Sequence, residues 1–417
     1  MREMKDSGIE WIGQIPKGWE LRRAKTLFTQ RNSKGNGIEV LLSPTQKYGV
    51  VPQSQLEGVV QVKEDTDLQM FKTIHKGDFV ISLRSFQGGF EYSLYEGVCS
   101  PAYQVFYPTS PICDTYYRYL FKSQSFISKM NNLTVGIREG KNIQYVDIAN
   151  SQIPVPPLAE QERIAAFLDA ECAEIDTVLE KTRASIEEYK KLKQAVITQA
   201  VTKGIRGDRP MKNSGIEWIG DIPAEWSLVP FSKFARVSAN LVNPSDYQDY
   251  LQVSPENIEK DSGKLLPCKT VSEVGVESWN HFFHKGQILY SKIRPKLNKV
   301  CIAPFDGLCS ADMYPIDTDN ISKFVVYTIL SNDFNQQVAM ITENRVKMPK
   351  INQKELSKII VVLPANRMEQ QEIVDYLDGE CGKIDSLIAK KQQYLTEIEN
   401  YKKSLIYEYV TGKKEVV

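Results

Sequence analysis

The stretch EQERIAAFLDAECAEID at residues 160–176 decides the fold, because it returns as EQQEIVDYLDGECGKID at residues 369–385, an interval of 209 in a chain of 417. Working outward finds further pairs at nearly that interval. DSGIEWIGQIPKGW at 6–19 is answered by NSGIEWIGDIPAEW at 213–226. Lys76-Gly77, followed by an apolar run and Ser82, recurs as Lys285-Gly286 and Ser291. Gly97-Val-Cys-Ser100 recurs as Gly307-Leu-Cys-Ser310, and QAVTKG at 199–204 is answered by EYVTGK at 408–413. Collinear anchors with so little drift imply a duplicated half of about 209 residues, and a duplicated half implies one fold used twice.

The quoted stretch also opens a long helix. After Pro157 the chain holds no proline until Pro210, and after Pro364 none to the end. Leu168, Ile175, Thr182, Tyr189 and Val196 fall seven apart, with Cys172, Leu179, Ile186, Lys193 and Ala200 four positions on. The second copy repeats this with Leu377, Ile384, Lys391, Ile398 and Leu405 beside Cys381, Ile388, Leu395, Lys402 and Tyr409. Two offset series of period seven form a seam that a helix must bury against a partner helix. Polar seam positions at Thr182, Lys391, Lys193 and Lys402 cost stability but fix register. A helix of about 45 residues is a rod of roughly 65 Å.

Between the helices the texture is different. From about residue 20 to 150 and 227 to 360, short β-rich runs such as DFVISL and QILYSKI alternate with Gly, Pro, Asn and Asp, so each part reads as a mixed domain. One amphipathic helix is expected at 115–130 and another at 323–341. The expected architecture is α+β. Two similar mixed α/β globular domains, 1–157 and 205–364, are separated by helices at 158–204 and 365–417 that form an antiparallel coiled coil with approximate two-fold symmetry. Two like modules held apart by a stiff spacer suit a duplex ligand with two separated contact sites.

Composition narrows the class. Hydrophobic residues are 42% and charged residues 25% of the chain, as in folded soluble proteins. Lys plus Arg equals Asp plus Glu at 52 each, so attraction to nucleic acid must come from local clustering. Seven Cys without a C-x-x-C pair suit a reducing compartment. No basic-then-apolar leader and no run of 18 apolar residues occurs, so a cytoplasmic protein without a membrane segment is expected.

Local basic clusters do occur. SKIRPKLNKV at 291–300 and RVKMPKINQK at 345–354 carry four cations each and no acid. In the first half the corresponding places hold SLRSFQGG at 82–89 and IREGKN at 137–142. Arg can fork onto guanine, and Gln or Asn onto adenine, so Arg84, Gln87, Arg294 and Asn298 are the base-edge candidates. Lys141, Lys292, Lys296, Lys299, Lys347 and Lys350 are the phosphate candidates. The halves diverge between LRSFQGGFEYSLYE and KIRPKLNKVCIAPFD, so they are expected to read different sequences.

Taken together, the doubled SGIEWIG-x-IP-x-x-W phrase, IPVPPLAEQERIAAFLD with its echo VVLPANRMEQQEIVDYLD, and the helix ends QAVTKG and EYVTGK resemble a type I restriction-modification specificity subunit over nearly the whole chain. The resemblance implies two target recognition domains reading the halves of a split double-stranded DNA sequence, with the helices setting the gap. It also implies partners: two methyltransferase subunits that bind S-adenosylmethionine and flip an adenine, and ATP-driven, Mg²⁺-dependent restriction subunits. No cofactor is expected in this chain itself. The second copy reads PANRMEQ where the first keeps PPLAEQ, a departure that bears on its partner contacts.

Chemistry of its own is not expected. The chain has no polar-Pro-Pro-aromatic methyl-transfer box and no G-x-x-x-x-G-K-[ST] loop. Glu139 and Lys141 have a nuclease-like spacing without an upstream Asp to complete a set, and His75, His281 and His284 lack a third ligand. The alternatives are a nuclease fused to recognition modules and a structural coiled-coil adaptor. Trp19 and Trp226 read as structural anchors.

Overall fold

In a computed structural model, residues 2–35, 37, 40–56, 68–81, 89–132, 143–345 and 349–416 are described. The chain divides into two compact units, one of Met1–Thr182 with Gln393–Val417 and one of Arg183–Gln392. Each unit therefore takes its globular part, the start of one long helix and the end of the other.

Unit 1 is centred on a four-stranded antiparallel sheet in the order Phe28–Arg31, Gln104–Pro108, Phe79–Ile81, Glu91–Tyr92. The DFVISL run supplies Phe79, Val80 and Ile81, all buried, because β-branched and aromatic side chains fill both faces of a covered strand. Helices Asp114–Lys122 and Gln124–Asn132 lie in the same unit. Its aromatic core joins Phe28 to Phe79, Phe106 and Phe121, and Phe90 to Phe106 and Phe126, with ring centroids 5.3–5.7 Å apart. Edge-on packing of this kind adds to the burial of large rings.

Unit 2 repeats this order strand for strand. Arg236–Val237, Met313–Asp317, Ile288–Ser291 and Val300–Ile302 form the matching antiparallel sheet. The flanking pairs match too, Gln152–Val155 with Glu20–Arg23 and Ile360–Leu363 with Ser227–Pro230. A second sheet of five strands holds one parallel pair, Leu251–Val253 with Gly307–Cys309. The fold is thus α+β and internally repeated.

The helices expected at 115–130 and 323–341 are each two helices. Asp114–Lys122 breaks at Ser123 before Gln124–Asn132, and Ser322–Leu330 breaks at Ser331 before Asn332–Thr342. Ser331 has extended backbone angles, φ −66° and ψ 154°, and its hydroxyl accepts from Phe334 N. A serine that caps the next helix ends the previous one.

The proline-free segments are the helices Leu158–Lys203 and Arg367–Val410. In unit 1 Phe167 meets Tyr409 at 4.5 Å and Asp176 meets Lys402 at 2.6 Å, so the segments run antiparallel. In unit 2 Lys193 meets Asp385 at 2.7 Å and Arg206, just past its helix, meets Glu372 at 2.6 Å, again antiparallel. Leu168, Ile175, Leu179, Ile186, Leu377, Ile384 and Leu395 are buried and Ile388 is half-buried. Of the three seam lysines, Lys193 and Lys402 each find an aspartate and Lys391 lies 5.7 Å over the Tyr189 ring, which is how a charge near an apolar seam avoids isolation.

Candidate nucleic-acid interface

Each globular part is fastened to the start of its long helix by the same device. Glu160 accepts from the indole N–H of Trp19 at 2.9 Å and from Arg2 at 2.6 Å, and Arg2 lies 5.2 Å over the Trp19 ring. Glu369 accepts from the indole N–H of Trp226 at 2.9 Å and from Arg209 at 2.6 Å, and Arg209 lies 5.1 Å over that ring. The neighbouring glutamines correspond as well. Gln161 accepts from Cys113 N at 2.9 Å, and Gln370 accepts from Ile321 N at 3.0 Å. Carboxylates in the first turn also complement the helix dipole. The PANRMEQ departure in the second copy leaves this arrangement intact.

The helix ends complete the device. Gly204 of QAVTKG packs on Trp226 and Gly412 of EYVTGK on Trp19, both glycines with positive φ. Trp19 and Trp226 are almost fully buried, so they act as anchors.

The two basic runs of unit 2 are brought together. Strands Ile288–Ser291 and Val300–Ile302 form a hairpin whose loop spans 292–299. Arg294 N donates to Pro349 O at 2.7 Å and Ile351 N to Lys292 O at 2.9 Å, while Ile293 bridges Lys350. Arg294, Lys296 and Lys350 are exposed on these joined segments. Lys292 is half-buried with its ammonium 5.2 Å over the Tyr314 ring. Its charge and, more strongly, burial push the His281 imidazole below its usual range. Such a surface offers cations for phosphates and one guanidinium for a base edge.

Two candidates have other work here. Asn298 is only 1% exposed and its amide donates to Leu330 O at 3.4 Å. It supports the loop from beneath, and in this arrangement it has no access to a base edge. Lys299 donates to Pro255 O at 2.6 Å, a bond that ties down its ammonium. Arg84, Gln87, Lys141 and Lys347 lie outside the described residues, as does Glu139.

Among the described residues no group of three His, Cys, Asp or Glu is placed to hold a metal. His75 stands 3.8 Å from Glu96 and His284 3.9 Å from Asp306, in separate places. No described helix is long and apolar enough to cross a membrane.

The type I restriction modification DNA specificity domain family, Methylase_S, matches residues 16–188 and 236–400. The chain belongs to this specificity family. It is 33% identical to the type I restriction enzyme EcoDI specificity subunit of Escherichia coli, over 78% of this chain and 76% of that protein. It is 25% identical to the putative type I restriction enzyme MjaX specificity subunit of Methanocaldococcus jannaschii, over 97% and 96%. A chain from a solved structure on the complex assembly and conformational transition of the type I R-M system shares its fold, with a TM-score of 0.69 and 16% identity over 96% of this chain and 99% of that one.

Within this specificity-family chain the two anchoring tryptophans are legible in the sequence, but their polar partners are not. Glu160-Gln161 and Glu369-Gln370 are identical polar pairs inside the repeat, and Arg2 and Arg209 each precede a copy of the SGIEWIG phrase. A polar pair that recurs while its apolar neighbours drift was the available signal.

Proposed function

We propose that this chain is the DNA-specificity subunit of a type I restriction-modification complex. Each unit reads one half of a split duplex target. The chain directs two methyltransferase subunits, and restriction subunits in the full complex, to that target and performs no catalysis of its own. S-adenosylmethionine, ATP and Mg²⁺ belong to those partners in this reading. The observation that carries it is that both repeats match one DNA-specificity family. The paired basic segments of unit 2 support it, since exposed Arg294, Lys296 and Lys350 lie on segments joined by backbone hydrogen bonds.

The domain assignment follows from the same reading. Recognition domains occupy 1–157 and 205–364, with spacer helices at 158–204 and 365–417, and the seam residues hold the helix pair. The test is selection from a random duplex library with the chain bound to its methyltransferase subunits. A split consensus is expected, with affinity falling steeply as salt rises because phosphate contacts release counterions. Binding blind to sequence would remove the proposal.

A further inference from the structure

The tip of the 292–299 loop holds an unusual backbone. Arg294 has φ 45° and ψ 53°, and Asn298 has φ 45° and ψ 56°, both left-handed, and they bracket the short 3-10 turn Pro295–Leu297. Asparagine visits this region with some ease, whereas arginine does so at a steric cost. Strain at a non-glycine residue persists only where its surroundings impose it, and it concentrates at functional positions.

The surroundings here do impose it. The backbone of Arg294 is fixed through Pro349, Pro295 is buried, and Asn298 is sealed beneath the loop against Leu330. Lys299 adds its bond to Pro255. The Arg294 side chain is left without work: it is exposed, and among the described residues it makes no ion pair, whereas Arg345 on the neighbouring segment is paired with Glu355. A cation meant only for phosphate needs no such scaffold, because a flexible lysine suffices. A guanidinium that must fork onto two acceptors gains from a fixed origin.

We infer that Arg294 is a specificity-determining residue of unit 2, presented by the strained hairpin tip into the major groove to read one guanine through its O6 and N7. This rests on the specificity-subunit reading above. A two-stranded ribbon fits the major groove, and Arg to guanine is its commonest specific contact. Exposed Lys296 and Lys350 on the joined segments are left for the flanking phosphates.

The experiment uses the full chain with its methyltransferase subunits, as wild type, Arg294→Gly and Arg294→Lys. Binding is measured on the wild-type target and on duplexes altered one base pair at a time, alongside thermal melting. Glycine removes the side chain and accepts the left-handed backbone, so its melting temperature should equal or exceed that of wild type. Both variants should lose discrimination at one guanine of one half-site by about 5- to 150-fold, with the other half unchanged. Unaltered discrimination at every position would overturn the inference, as would a uniform loss on all sequences, which marks a phosphate contact. A large drop in melting temperature for Arg294→Gly would overturn the strain argument, and Arg294→Lys would still report on reading. If the wild-type complex has no split consensus, the underlying reading fails instead, and it fails before any variant is compared.

Discussion

Replacing Glu369 by alanine should destabilise unit 2 by about 3–5 kcal/mol, the cost of breaking a buried ion pair from one side. The side chains of Arg209 and Glu369 are only 8% and 6% exposed. The substitution strands two donors. Trp226, wholly buried, loses the acceptor of its indole N–H, which alone costs about 1–3 kcal/mol. Arg209 keeps Glu225, but that carboxylate is 47% exposed and compensates poorly. The matching Glu160→Ala in unit 1 should cost less, because the Arg2 and Glu160 side chains are 19% and 16% exposed. Native-state hydrogen exchange separates the effects, since amides of each unit report that unit's own opening. A loss below about 1 kcal/mol at Glu369, or a larger loss at Glu160, would refute the view that burial sets the strength of the anchor.

Gly412→Ala places a Cβ 2.5 Å from the Pro16 ring and 2.9 Å from Trp19, whereas in Gly204→Ala the closest atom is the flexible end of Arg209 at 2.6 Å. Both strain a left-handed backbone by about 1–3 kcal/mol, and thermal melting should show Gly412→Ala as the worse. Lys193→Leu should leave stability level or raised, since apolar replacement of a paired seam charge is tolerated, while Asp385→Ala, which strands Lys193, should lower it. Urea midpoints decide between them. The Asp333 carboxyl is pushed up to about 6 by burial, against the opposing charge of Lys203. The folded state therefore binds the extra proton, and stability contributed by this group falls as pH rises from about 4 through 6. Asp333→Asn should melt higher than wild type at pH 8, with the gap closing near pH 4. Deleting one heptad from each long helix keeps both seams in phase and removes about 10 Å of rise. If helix length sets the spacing, the preferred gap in the target shortens; an unchanged gap would contradict that role.

Period and repetition were the legible part of this chain. The heptads at Leu168, Ile175, Leu377 and Ile384 mark the long helices because a seam is written in residue type and spacing alone. The shift of about 209 fixes that both halves share a fold, since five separate anchors carry it to within two residues. Helix breaks at Ser123 and Ser331 were not legible, because one serine within an apolar pattern is tolerated on a helix surface and its residue type alone does not say that its backbone turns extended there. The parallel pairing of Leu251–Val253 with Gly307–Cys309 joins strands far apart in sequence, and no local pattern encodes it. At the candidate interface, residue type located the basic loops but could not tell which side chains face outward. Arg294 and Asn298 sit four apart with the same backbone conformation, yet one is exposed and the other sealed against Leu330. Only the tertiary neighbours separate them.

Genome-wide mapping of methylated adenines in cells with and without this gene would show whether the chain reads a split target. Loss of one motif made of two specific halves around a fixed unspecified gap is what a doubled reader requires. A motif that is continuous, or a methylation pattern that does not change, would contradict it.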